Sequence, residues 1–158
     1  MTLLLALALA SATVPAEPAL HFVFEEVVTL GPDVVPGQTA LGGRKLVPIT
    51  GGSFAGPDIR GTVIGGGWDW QLRRADGCTT IHADYMLRTD DGIVINVVNH
   101  GVSCRARDPQ ALIRTHPVFE APLGKYDWLS QAAFIGTLEP ATAADGQRAV
   151  RIRFYRVD

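Results

Sequence analysis

Two carboxylates and two imidazoles fall at spacings that would gather them on one face of a small antiparallel sheet. In the stretch from Trp68 to His100, Asp76-Gly77 is a strong two-residue hairpin signal, because a type I′ turn needs positive φ at both central positions. Thr89-Asp90-Asp91-Gly92-Ile93 suits a three-residue loop with Gly92 in the left-handed position. With these registers Asp69 faces Asp84, Gln71 faces His82, and His82 faces His100. Directly opposed like charges destabilise a strand pair. A desolvated pair of this kind shares a proton, with one pKa raised. It then serves as general acid and base in elimination, addition or isomerisation, which makes Asp69 and Asp84 the expected catalytic residues. The competing reading leaves both carboxylates solvated and neutralised by Arg60, Arg73 or Arg88. Gln71, His82, Arg88, Asn96 and His100 are the expected ligand-binding set on the same face.

The other chemistries find less support. His82, His100 and Asp84 offer three donors to a metal ion, but no HxH or HExxH spacing accompanies them, so neither a metal nor a cofactor is expected. His21 and His116 stand alone and read as surface residues. The sequence has no GxSxG, no P-loop and no GxGxxG after a strand. A formal net charge of -2, with no Lys/Arg run, argues against nucleic acid.

Something must hold these residues in place, and the pattern around them is that of short strands. The face opposite the Asp/His set collects Trp68, Trp70, Leu72, Ile81, Ala83, Tyr85, Leu87, Ile95 and Val97. Further strands are expected over residues 21–30, 44–50, 59–64, 113–121, 128–139 and 149–157. The first half of 128–139 also suits a helix. In the last strand Val150, Ile152 and Phe154 alternate with Arg151 and Arg153. Gly (17 residues) and Pro (10) interrupt the chain too often for long helices. About nine strands with tight turns predict an all-β fold, a single meander-like antiparallel β-barrel of eight to ten strands, since closure removes the sheet edges. Which face lines the lumen is the open question. Apolarity would put the tryptophan face inside. The polar face, however, lacks Lys and Glu among its central residues and mixes in Met86, Val94 and Val98, which suits a wet lumen. On that reading a second subunit is the simplest cover for the tryptophans, and a homo-oligomer follows.

The length of 158 residues fits one domain, expected over residues 17–158. Residues 1–16, MTLLLALALASATVPA, carry no charged side chain and end in small residues, the pattern of a signal peptide cleaved after Ala16. The apolar run is too short to span a bilayer, so export to the periplasm or medium is expected, without stable membrane insertion. The alternative is a cytosolic tail, since no Lys or Arg precedes the apolar run. Cys78 and Cys104 fall opposite each other in the register set by the Gly92 turn, and an exported protein would oxidise the pair. Two buried free thiols are the alternative.

The stretches GGRKLVPITGGSFAGPDIRGTVIGGGWDWQLRRADG and ADYMLRTDDG, followed by IRTHPVFEAP and YDWLSQAAFIG, resemble domain-of-unknown-function family 3237, also called uncharacterised protein family 0311. The resemblance covers roughly residues 21–157 through six ordered motifs. It implies a small antiparallel β-barrel and carries no general activity. Ser130-Gln131 stands where the family often has Asn-Arg, and the segment between Asn99 and Arg114 is shorter than in many members; if the family's pocket uses either feature, ligand preference should differ here. The leader is a further departure. Together these readings predict a barrel that binds a small organic ligand, aromatic or apolar with polar substituents. The alternative is a cofactor-independent lyase, hydratase or cyclase using the paired aspartates.

Overall fold

The computed structural model describes residues 17–158. The leader expected over residues 1–16 lies outside them. Nine strands follow one another: β1 (Leu20–Leu30), β2 (Val34–Thr39), β3 (Gly42–Ala55), β4 (Arg60–Arg73), β5 (Thr79–Thr89), β6 (Val94–Ser103), β7 (Ile113–Glu120), β8 (Ala133–Thr142) and β9 (Arg148–Val157). One helical turn, α1 (Trp128–Gln131), precedes β8. Strand β1 pairs with both β9 and β3, which closes eight antiparallel strands into a barrel, while β2 adds to the outer edge of β3. The all-β barrel expected from strand spacing is therefore present. Strand β2 is an addition to that expectation. The segments expected at 59–64 and from Trp68 onward are one long strand, β4, interrupted by a bulge between Ile64 and Trp68. Three glycines occupy the bulge for a steric reason: a Cβ on Gly67 would come within 2.5 Å of Tyr85 Cβ on the neighbouring strand.

Strict alternation divides the barrel wall into two faces. On β5 and β6 the inward side chains are Ile81, Ala83, Tyr85, Leu87, Ile95, Val97 and Asn99, all buried. One end of the interior is packed solid with aromatic rings. Phe24 contacts Phe154, and Phe119 contacts Phe134, each at 4.9 Å between ring centroids in edge-to-face geometry. Leu129 of α1 is buried against this end, and Trp128 lies 6.3 Å from Phe134. The loop between β5 and β6 is tied down there by Asp91, which accepts hydrogen bonds from Lys125 Nζ (2.7 Å), Tyr126 Oη (3.1 Å) and Thr89 Oγ1. These donors hold the Asp91 carboxyl down at about 2, Lys125 contributing most. The other end of the barrel is not filled by large side chains, and the cavity described below lies there.

The β5–β6 register agrees with the turn chemistry: His82 pairs with His100, and Tyr85 with Val97. Gly92 takes φ 89° in the loop, as a left-handed position requires. The same register brings Cys78 and Cys104 together as a disulfide, with 4.3 Å between Cα atoms. It fastens the ends of β5 and β6 at the open end of the barrel. Cross-linking across 26 residues removes loop-closure entropy from the unfolded chain. Replacing both cysteines with serine should therefore lower stability by about 2–4 kcal/mol in urea unfolding, matched by the wild type under reducing conditions.

Candidate functional site

The β4–β5 hairpin departs from its expected register, and the site moves with it. Arg74 N–H donates to the Cys78 carbonyl (2.8 Å) and Gly77 N–H to the Arg74 carbonyl (3.1 Å), so the loop holds three residues rather than two. Gly77 alone takes a positive φ, 81°, and Asp76 does not, whereas a type I′ turn needs both. Asp76 instead uses its carboxylate to accept from Cys78 N–H at 3.0 Å. One extra loop residue slips the pairing by one, and every side chain of β4 changes face relative to β5. Asp69 is thus paired with Ala83, and Trp68 with Asp84.

The expected Asp69/Asp84 pair is consequently not formed: the two carboxylates lie on opposite sides of the wall. Gln71 likewise does not face His82. Asp69 and Gln71 turn into the lumen beside Ile81, Ala83 and Tyr85. Asp84, His82, Arg88, Asn96 and His100 share the outer surface with Trp68 and Trp70, which are 36% and 46% exposed. The wet, polar lumen expected from composition is corrected by this arrangement, since the apolar face of β5 and β6 is the inner one. His82 and His100 do meet, 4.4 Å between ring centroids, and His116 of β7 extends the row at 5.4 Å. Burial, reinforced by the two neighbouring imidazoles, lowers the His100 pKa.

The lumen cavity measures about 130 Å³. That is on the order of the engineered apolar cavity, about 150 Å³, that accepts benzene. Its walls are mostly aliphatic: Val28, Val47, Ile49, Ile81, Ala83, Leu138, Val150 and Ile152. Into this surface project a few polar groups, the arrangement of a small-molecule site. Asp69 Oδ2 accepts from Gln71 Nε2 at 2.6 Å, and Oδ1 accepts from the His82 backbone N–H at 3.1 Å. Desolvation nevertheless dominates, and the Asp69 pKa is raised from its ordinary value. Asn99, 1% exposed, lines the cavity with Oδ1 unpartnered. Lys45 and Arg148 stand at the mouth, both paired with Asp33, at 3.3 Å and 2.6 Å.

A further acid lies behind the cavity wall. Glu26 of β1 is fully buried, its Oε1 accepts a hydrogen bond from Tyr85 Oη, and its Oε2 has no partner. Burial outweighs that hydrogen bond and pushes the Glu26 pKa up to about 8. The Tyr85 hydroxyl is raised as well, first by burial and then by the charge of Glu26. Sequence reasoning missed Glu26, although the signal was available: Phe24, Glu26 and Val28 follow one another with period two, so a buried Phe24 and Val28 carry Glu26 inward. The lumen therefore presents one carboxyl group and a phenol, with a second carboxyl behind the phenol, all with raised pKa values, in an apolar setting. Such a set can take a proton from one part of a bound molecule and return one to another.

Residues 18–157 match the family described as "Protein of unknown function (DUF3237)". An uncharacterised UPF0311 protein of Clostridium acetobutylicum is 32% identical over 149 residues, covering 85% of this chain and 91% of that protein. The hydroalkoxylation enzyme phnH of Penicillium herquei is 33% identical over 123 residues, 78% of this chain and 76% of that protein. Among solved structures, a beta-barrel-like protein of Acinetobacter baumannii superimposes with a TM-score of 0.81 at 26% identity, over 93% of this chain and 100% of that one.

Proposed function

Since the chain belongs to the DUF3237 family, we propose that its barrel binds a small, largely apolar organic molecule in the lumen and adds a hydroxyl across a carbonyl-conjugated C=C bond, or runs the reverse elimination, without a cofactor. The observation that carries this reading is that a desolvated Asp69 and Tyr85 line one apolar cavity, with Glu26 behind the wall accepting a hydrogen bond from Tyr85. The relative named a hydroalkoxylation enzyme supports the reaction class. In the forward direction Asp69 accepts the proton of the substrate hydroxyl as its oxygen forms the new C–O bond at the β-carbon. The π electrons move toward the carbonyl, and Tyr85 delivers a proton that ends on the α-carbon. Glu26, protonated near neutrality, replaces the proton lost by Tyr85. Asp69 then releases its proton to water and Glu26 recovers one, which closes the cycle. Conjugation is required by the acids present, because a phenol is far too weak to protonate an isolated alkene.

The test is a panel of small hydroxy-enones incubated with the protein in D2O. Cyclisation should be accelerated, with one deuterium placed at the α-carbon on one face. Ala83→Leu, which fills the cavity from its wall, should abolish that acceleration while leaving a folded barrel. Racemic deuterium at the uncatalysed rate would refute the reading. The disulfide is compatible with an oxidising compartment, and we place the mature protein outside the cytoplasm, beginning at Glu17. Mass spectrometry of protein from its native host tests this, and an intact residue 1–16 segment would contradict it.

A further inference from the structure

We infer that the molecule taken up by the lumen carries an anionic group, a carboxylate in the first instance, which is held in a basic vestibule at the mouth of the barrel. This inference rests on the lumen reading above. A second recess, about 350 Å³, lies between β2 and the paired ends of β3 and β4. Arg44, Lys45 and Arg73 line it, together with Gln38, and no carboxylate does. Lys45 and Gln71 also line the lumen cavity, so the two spaces share a wall and adjoin at the mouth. The pairing explains the layout: Lys45 lies opposite Gln71, and Gly43 opposite Arg73, which sets the cations at the end of the same strand pair that holds Asp69.

Charge balance at the mouth is one-sided. Arg148 and Lys45 share the single carboxylate of Asp33. Arg44 and Arg73 form no salt bridge among the described residues. Arg74 beside them is, by contrast, neutralised by Asp76. Two unpaired guanidiniums flanking a lysine suit a planar carboxylate, which accepts two parallel N–H bonds from one guanidinium. Gln38 supplies a neutral donor. The apolar part of the ligand would then extend past Gln71 toward Asp69 and Tyr85. A molecule with a charged head and a conjugated body fits both spaces, whereas a wholly apolar one would leave the vestibule to water.

The probe is trans-cinnamate set against trans-cinnamamide, the same body with and without the charge, titrated calorimetrically into the full protein. Wild type should bind cinnamate at least about tenfold more tightly, the effect of one charge-assisted contact. The preference should shrink as salt rises. It should vanish in Arg44→Gln/Arg73→Gln, whose cinnamamide affinity stays unchanged, and both probes should be lost in Ala83→Leu. Equal affinity for the two probes, or a preference that survives the double variant, overturns the vestibule. Should binding of both probes survive Ala83→Leu as well, the lumen reading falls with it. Failure of both to bind wild type also overturns the inference.

Discussion

Asp69→Asn should abolish turnover of a hydroxy-enone that the wild type cyclises, lowering kcat by about 10²–10⁴ with little change in affinity. The amide retains the size of the side chain, its oxygen can still accept from the His82 N–H, and its NH2 can donate to Gln71 once that amide turns its oxygen inward, but it cannot accept a proton at neutral pH. Stability should not fall, because a desolvated carboxylate with a raised pKa is itself a cost to the fold. The pH–rate profile carries the same signature. Activity should fall on the acid side at a pH above that of an ordinary aspartate, since Asp69 must be ionised to act as base. Asp84→Asn serves as the control: Asp84 lies on the outer face, and its variant should leave the rate within about twofold. Steady-state kinetics on the two variants side by side provide the check.

Glu26→Gln should change how stability depends on pH. In the folded protein burial pushes the Glu26 pKa up to about 8, whereas the unfolded chain releases that proton near the ordinary glutamate value of 4.5. Between those limits the native state binds the proton and the unfolded state does not, so stability is full below the lower value and is lost as pH rises through the upper one. The slope approaches about 1.4 kcal/mol per pH unit at 25 °C. Glutamine presents a carbonyl to Tyr85 and never ionises. Urea unfolding from pH 5 to pH 9 should therefore show the variant gaining on the wild type by several kcal/mol in total. Parallel curves would mean that Glu26 is ionised in the native barrel, and the Tyr85–Glu26 acid would be removed from the mechanism. Loss of activity with the fold retained would assign the proton supply to this pair.

Much of this barrel is legible in the chain. Strand β9 announces itself by Val150, Ile152 and Phe154 alternating with arginines, and Ile152 and Phe154 are buried while the arginines beside them are only half-buried. The β5–β6 pairing is doubly specified, by Gly92 at a position requiring positive φ and by two cysteines equidistant from Asp91 at the centre of the turn. The β4–β5 pairing is not. Asp76-Gly77 signals a turn correctly, yet the dipeptide serves a two-residue loop and the end of a three-residue one equally well, and only the second lets Asp76 keep negative φ. That single residue decides whether Asp69 meets Asp84 outside or Tyr85 inside. Composition misled on the lumen for a related reason. The outer surface of β5 and β6 is poor in Lys and Glu and carries the His82–His100–His116 row, while the inner face, being apolar, looked too ordinary to be a site. The functional groups in such a cavity are few and isolated. Asp69 and Asn99 each interrupt an otherwise aliphatic wall with Glu26 behind it, and the closure that brings β1 to Tyr85 of β5 is a tertiary fact with no local signature.

The most direct test of the account is whether chemistry follows the inner carboxylate or the outer one. A single-turnover reaction of a hydroxy-enone in D2O, run with wild type, Asp69→Asn and Asp84→Asn, settles it by mass and NMR of the product. Stereospecific single deuteration by wild type and Asp84→Asn, with none by Asp69→Asn, is the predicted result. Retention of that product by Asp69→Asn, or its loss in Asp84→Asn, would move the site to the outer face and contradict the lumen as the seat of function.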